Sequence, residues 1–143
     1  MSSDEPAEAA AHPSGSPLGA ATSRLPRPVY THLRRLTNET GLWEHARILT
    51  PRVEHGFCTD DNARGLLVVS RPTSPSSELA DLAAIYLTFV LDARTGTGQF
   101  HNRRDADGAW IDEVGSVDSQ GRALWGLGTV ARSGPVPWMR GAA

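Results

Sequence analysis

HGFCTDDNARGLLVV, residues 55–69, brings a cysteine, two adjacent carboxylates, an amide and an arginine together ahead of an apolar run. Thr59 or Asp60 suits an N-cap, because a short polar side chain can accept a hydrogen bond from the unpaired amides of a first helical turn. Asp60 and Asp61 in that turn are favoured by the positive end of the helix dipole. Leu66, Leu67 and Val69 give the helix a buried side, and Arg71-Pro72 stops it, since proline cannot continue the backbone ladder. The stretch predicts a helix whose polar first turn carries chemistry-capable side chains.

After it, PTSPSS (72–77) makes a short turn and residues 78–93 form the clearest helix. There Leu79, Leu82, Ala83, Tyr86, Leu87 and Val90 recur at helical spacing with few charges among them, which predicts a largely buried element. Two helices joined by so short a turn form an antiparallel hairpin. Toward the N-terminus, Val29, Leu33 and Leu36 mark a first helix ended by Gly41, followed by a loop over 42–51 that holds Trp43, Glu44 and His45. Toward the C-terminus, residues 99–102 and 107–111 read as an irregular β-hairpin turning at Asp107-Gly108. Ser116 then caps a last helix in which Leu124, Leu127 and Ala131 share a face and which Gly134-Pro135 ends.

The expected fold class is therefore all-α with a small irregular β-hairpin. Residues 1–28, rich in Ala, Ser, Pro and Gly, form a tail that cannot bury enough apolar surface to offset its ordering entropy. Residues 29–132 form the domain, and 133–143, without periodicity, an irregular tail.

The chain's 143 residues leave room for one domain or one piece of a larger one. A net charge of -2 and a pI near 6.2 give no electrostatic footprint for a phosphate backbone, so nucleic acid is not an expected partner. No apolar run reaches membrane-spanning length and the acidic start lacks signal-peptide character, so no membrane is expected either. The single cysteine, Cys58, excludes an internal disulfide and suits a reducing compartment, which makes cytoplasm the expectation. His55, Cys58 and His101 have ligand-like character but lack the second half of a motif, so neither a metal nor another cofactor is expected.

DDNARGLL laid over DSQGRALW pairs Asp60 with Asp118, Asn62 with Gln120, Arg64 with Arg122 and Leu66 with Leu124, all at one constant offset. The same recipe occurs twice, separated by one helix and one loop. It predicts stacked hairpins in which every second helix begins at the same end, its polar first turn facing a shared cavity.

On these residues the chain resembles a bacterial group of carbohydrate-active proteins with the six-hairpin glycosidase fold. The segments that carry the likeness are TNETGLWEHARILTPRVEHGFCTDDNARGLLVV, GQFHN and DEVGSVDSQGRALWGLGTV. The resemblance implies an (α/α)6 toroid, and it implies a function on glycosidic substrates, often in association with glycosyltransferases. A whole toroid needs six hairpins, whereas this chain supplies about two. That implies an N-terminal fragment or truncated product, with an open apolar edge that a partner chain would cover.

Glycosidic bond cleavage uses two carboxylates across the scissile bond. Asp60 or Asp61 set against Glu113 is the best candidate pair, and Asp112 and Asp118 are further carboxylates. A cap role alone would equally account for Asp60 and Asp118. Arg64, His101, Asn102, Trp110, Asp118 and Arg122 are the candidate substrate-binding residues, although the arginines could simply tie hairpins together and an aromatic ring could simply pack. The expected ligand is an oligosaccharide or other sugar. A non-catalytic glycan-binding or glycosyltransferase-accessory domain, or an inactive remnant, is the alternative. Cys58 before a helix start could be a nucleophile, but burial as a small apolar residue is its default.

Overall fold

The computed structural model describes residue 26 and residues 28–143, so the expected tail over 1–28 lies outside the described residues but for Pro26 and Pro28. The described part is mixed but mostly helical, as the expected helical class with a little β structure has it, with two small two-stranded antiparallel sheets where one hairpin was expected.

The first helix, α1 (Thr31–Arg35), is shorter than its apolar spacing suggests. Thr37 and Asn38 end it. The Thr37 hydroxyl donates to the Leu33 carbonyl at 2.7 Å, and the Asn38 side chain accepts the Thr40 and Gly41 amides at 2.9 and 3.1 Å, a local turn that competes with the helix ladder. The expected loop over 42–51 contains a tight hairpin of β1 (Ala46–Arg47) and β2 (Thr50–Pro51), and a single 3-10 turn, Val53–His55, follows it.

Gly56 next takes φ +69°, and a Cβ there would run into the Arg104 carbonyl, so only glycine lets the chain pass this close. It leads into β3 (Phe57–Cys58), which pairs with β4 (Arg103–Arg104). A hairpin forms around Asp107-Gly108, with Arg104 bridged to Trp110, but its first arm is β4 and not the expected 99–102, where Phe100 bridges Arg94 instead. Strand β4 also joins β3, a pairing so distant in sequence that local pattern does not reveal it.

Three longer helices carry the core: α2 (Thr59–Val69), α3 (Ser77–Asp92) and α4 (Val117–Ser133). Ser76 and Ser116 cap α3 and α4 by accepting the Leu79 and Ser119 amides at 3.3 and 3.2 Å. The α2 cap falls one residue before the expected Thr59 or Asp60. Cys58 Sγ accepts the Asp61 amide at 3.4 Å, while Thr59 is fully buried and donates to the His101 carbonyl at 2.7 Å.

Leu79, Leu82, Ala83, Tyr86 and Leu87 of α3 pack with Leu66 and Val69 near the end of α2 and with Val130 near the end of α4. Val90 and Ala93 instead meet Ala63 and Ala123, near the starts of α2 and α4. The helix α3 is therefore antiparallel to both, and α2 and α4 run side by side in the same direction. Their backbones approach closely at Gly126, where a Cβ would stand 3.2 Å from the Ala63 carbonyl oxygen.

The irregular tail expected over 133–143 is not what forms. Pro137–Ala142 is a short helix, α5, with proline in its first turn. It carries only one residue into the core, Met139, and so shows no sequence period.

Candidate functional site

The sequence repeat is a repeat of structure. In the first unit Asn62, fully buried, accepts the Leu42 amide at 2.9 Å and donates to the Leu42 and Cys58 carbonyls at 3.4 and 2.9 Å. In the second unit Gln120 accepts the Phe100 amide at 2.8 Å and donates to the Phe100 carbonyl at 2.7 Å. Each clamp spans 20 residues, and Leu42 stands to Phe100 as Asn62 stands to Gln120. Caps Cys58 and Ser116 obey the same offset, as do the amides they accept, Asp61 and Ser119. Buried backbone polar groups must find partners, and one amide side chain satisfies both groups of an incoming loop residue in each unit.

This scaffold sets the first turns of α2 and α4 side by side. Arg64 and Arg122, the paired arginines, converge on one carboxylate: their Nε atoms lie 3.1 and 3.0 Å from Asp60 Oδ1. Arg64 also bonds Asp61, and Arg122 bonds Asp118 Oδ2 at 2.9 Å. Hydrogen bonding to Asp118 foremost, and the Asp60 charge after it, raise the Arg122 pKa above its ordinary value, so its charge is fixed. Five of the candidate residues thus form one ion-pair network that links the two helices.

Asn102 joins it, its Oδ1 accepting the Asp60 amide at 3.1 Å. The 101–103 segment is held in turn by Asp112, a carboxylate whose two oxygens accept the Asn102 and Arg103 amides at 2.7 and 2.9 Å. His101 donates from Nδ1 to the Asp112 carbonyl at 2.7 Å and stacks on Trp110 with ring centroids 5.3 Å apart. Arg104 covers the Trp110 ring from 5.1 Å and Phe89 meets it edge-on, so this indole is substantially engaged in packing. Glu113 is exposed and makes neither a hydrogen bond nor an ion pair among the described residues.

Glu44 is a polar residue of this end that sequence reasoning did not single out as a site. Its carboxylate takes the Arg103 guanidinium through both oxygens, each at 3.0 Å, and joins the loop of one unit to that of the other. The offset was the available signal, since Glu44 lies opposite Asn102 in the two units. Burial pushes the Cys58 thiol well above its usual range, with the neighbouring Asp61 charge adding to the effect. The thiol donates to Asp61 Oδ2 at 3.2 Å. It therefore caps and packs, and is no ready nucleophile.

Chemically, the network offers guanidinium donors at a partly exposed helix end, with carboxylates already committed to arginines. A groove of about 260 Å³ lies on the other side of α2, lined by Leu33, Leu42, Asp61, Arg64, Gly65 and Val68. Among the described residues no cluster of three or more His, Cys, Asp or Glu side chains could hold a metal ion, and no helix is long and apolar enough to cross a membrane. No family model matches the chain, and neither a curated protein nor a solved structure is found to match it.

Proposed function

We propose that the chain is a carbohydrate-processing protein akin to the six-hairpin glycosidases, its two units being two hairpins of an (α/α)6 toroid with α2 and α4 as inner helices. Its ligand on this reading is an oligosaccharide, met where α2 and α4 begin. The observation that carries the reading is the repeated polar helix start, with Arg64 and Arg122 converging on Asp60. Planar guanidinium donors beside carboxylates, with the His101–Trp110 stack nearby, are the kind of groups that recognise sugar hydroxyls and ring faces.

The engagement of Asp60 and Asp61 with arginines, and the exposure of Glu113, favour binding or an accessory role to a glycosyltransferase over acid/base hydrolysis. Calorimetric titration with a defined oligosaccharide panel, run beside a product assay, tests the reading. Binding without turnover, lost in Arg122→Ala, supports the accessory role. Turnover that vanishes in both Asp61→Asn and Glu113→Gln supports catalysis. Absence of binding and turnover across the panel overturns the carbohydrate reading.

A further inference from the structure

Besides the β3–β4 pairing and the Glu44–Arg103 ion pair, the chain's two units meet through a helix contact of α2 with α4, and each unit carries one half of that helix contact unused. In the internal contact, the forward face of α2 presents Asp60 and Ala63 to the backward face of α4, which answers with Arg122, Ala123 and Gly126. On the forward face of α4 the repeat places Asp118 and Gly121 at the matching positions, with Leu124 and Trp125 one turn further along. It is open: Leu124 and Trp125 are 62% and 56% exposed, the Asp118 side chain is 69% exposed, and a Cβ added to Gly121 would meet nothing within 4 Å.

The backward face of the first unit is open too, and its shape is telling. By the same offset the groove residues Leu33, Leu42, Asp61, Arg64, Gly65 and Val68 correspond to Leu91, Phe100, Ser119, Arg122, Ala123 and Gly126. In the second unit that same wall is the one α2 fills, with Ala63 packed among Phe100 and Ala123 and against Gly126. The groove thus matches, position for position, the wall that α4 offers to α2.

We infer that α4 of one copy docks into the α2 groove of a second copy, continuing head to tail the step that α2 and α4 make within one chain. Charge complementarity carries over, because Asp118 is left to receive Arg64 as Asp60 receives Arg122. Volume carries over as well. The internal contact sets Ala63 against Gly126, and the new one sets Gly121 against Val68, so the side chain gained on one helix falls opposite the one lost on the other. Such a contact is heterologous, so copies add in one direction until a ring closes or the chain of copies grows on.

Sedimentation velocity on the full chain across a wide concentration range tests this. The wild type self-associates, and Leu124→Glu on the forward face and Val68→Glu on the backward face each raise its dissociation constant by about tenfold or more, since either places a charge against an apolar contact. Both positions are exposed in the single chain, and cooperative melts confirm that the variants fold. Trp125→Lys serves as a second forward-face variant. Mixing Leu124→Glu with Val68→Glu restores one intact interface and yields a dimer that grows no further. A wild type that stays monomeric overturns the inference, whether the chain's own N-terminal segment or nothing at all covers the face. Association that survives both variants, or a mixture that forms no dimer, overturns it equally.

Discussion

The side-chain amide of Asn62 holds Leu42 by both of its backbone groups, with Oδ1 2.9 Å from the amide nitrogen and Nδ2 3.4 Å from the carbonyl oxygen. Gln120 holds Phe100 in the same manner in the second unit. Asn62→Ala leaves the Leu42 amide and the Cys58 carbonyl without their side-chain partner and is expected to cost about 3 kcal/mol in chemical denaturation. Gln120→Ala, at a less buried position, costs about 1–2 kcal/mol. Hydrogen exchange locates the damage: the Leu42 amide loses protection in the first variant and the Phe100 amide in the second. An equal loss at both loops in either variant would contradict two separate clamps.

Two glycines of α4 are expected to respond in opposite directions. Gly126 faces Ala63 across a close helix approach, so Gly126→Val forces α2 and α4 apart and destabilises by about 1–3 kcal/mol. Gly128 has open space where its Cβ would be, and Gly128→Ala is expected to stabilise by about 0.5–1 kcal/mol, because alanine loses less conformational entropy in a helix. Thermal melts of the two variants give the sign directly.

Arg122→Gln breaks the bridge from α4 to Asp60 and Asp118. Because the pair is partly exposed, its contribution is screened by mobile ions. The variant is expected to melt below the wild type at low ionic strength, and the gap is expected to narrow as salt is added. A gap that stays constant with salt would show that Arg122 acts through packing alone.

Tyr86 shares a 2.7 Å hydrogen bond with Thr37 in the core, and burial raises its phenol from an ordinary value of 10 to about 12. The folded state thus keeps a proton that the unfolded chain releases first, so the associated stability is complete below pH 10 and is lost as pH rises toward 12. Tyr86→Phe is expected to be less stable at neutral pH, by about 1 kcal/mol for the lost hydrogen bond, yet flatter in its alkaline decline. The Cys58 thiol, raised chiefly by burial, is expected to resist alkylation in the native protein and to react once denaturant is added.

The helices were legible where many side chains share a burial pattern. In α3 the buried residues keep helical spacing, and Ser116 announced α4 through its cap. What was hidden depends on contacts distant in sequence or on one residue alone. Cys58 displaces Thr59 as the cap because β3 pairs with β4, which draws Thr59 inward to the His101 carbonyl. Met139 secures α5 singly, and a single anchor leaves no period to read. The hairpin at residues 46–51 has Ile48 at φ +57°, a conformation unusual for a branched side chain and therefore not signalled by residue type. At the site, the pairing of Arg64 with Arg122 was visible in the offset, whereas the separation of Glu113 from the network was not, since exposure is a property of the assembled loops.

Because each amide clamp reaches back only 20 residues, each unit closes its own loop from sequence close at hand. Loop-closure entropy grows slowly and stays modest at that length, so neither loop must wait for a distant segment before it is fastened. Assembly then becomes a nearest-neighbour problem: two locally clamped units, coupled by α2 against α4, by the β3–β4 pairing and by the Glu44–Arg103 ion pair. Weakening that coupling at Gly126 should separate the two units into distinct kinetic phases, whereas loosening either clamp should slow only the unit that holds it.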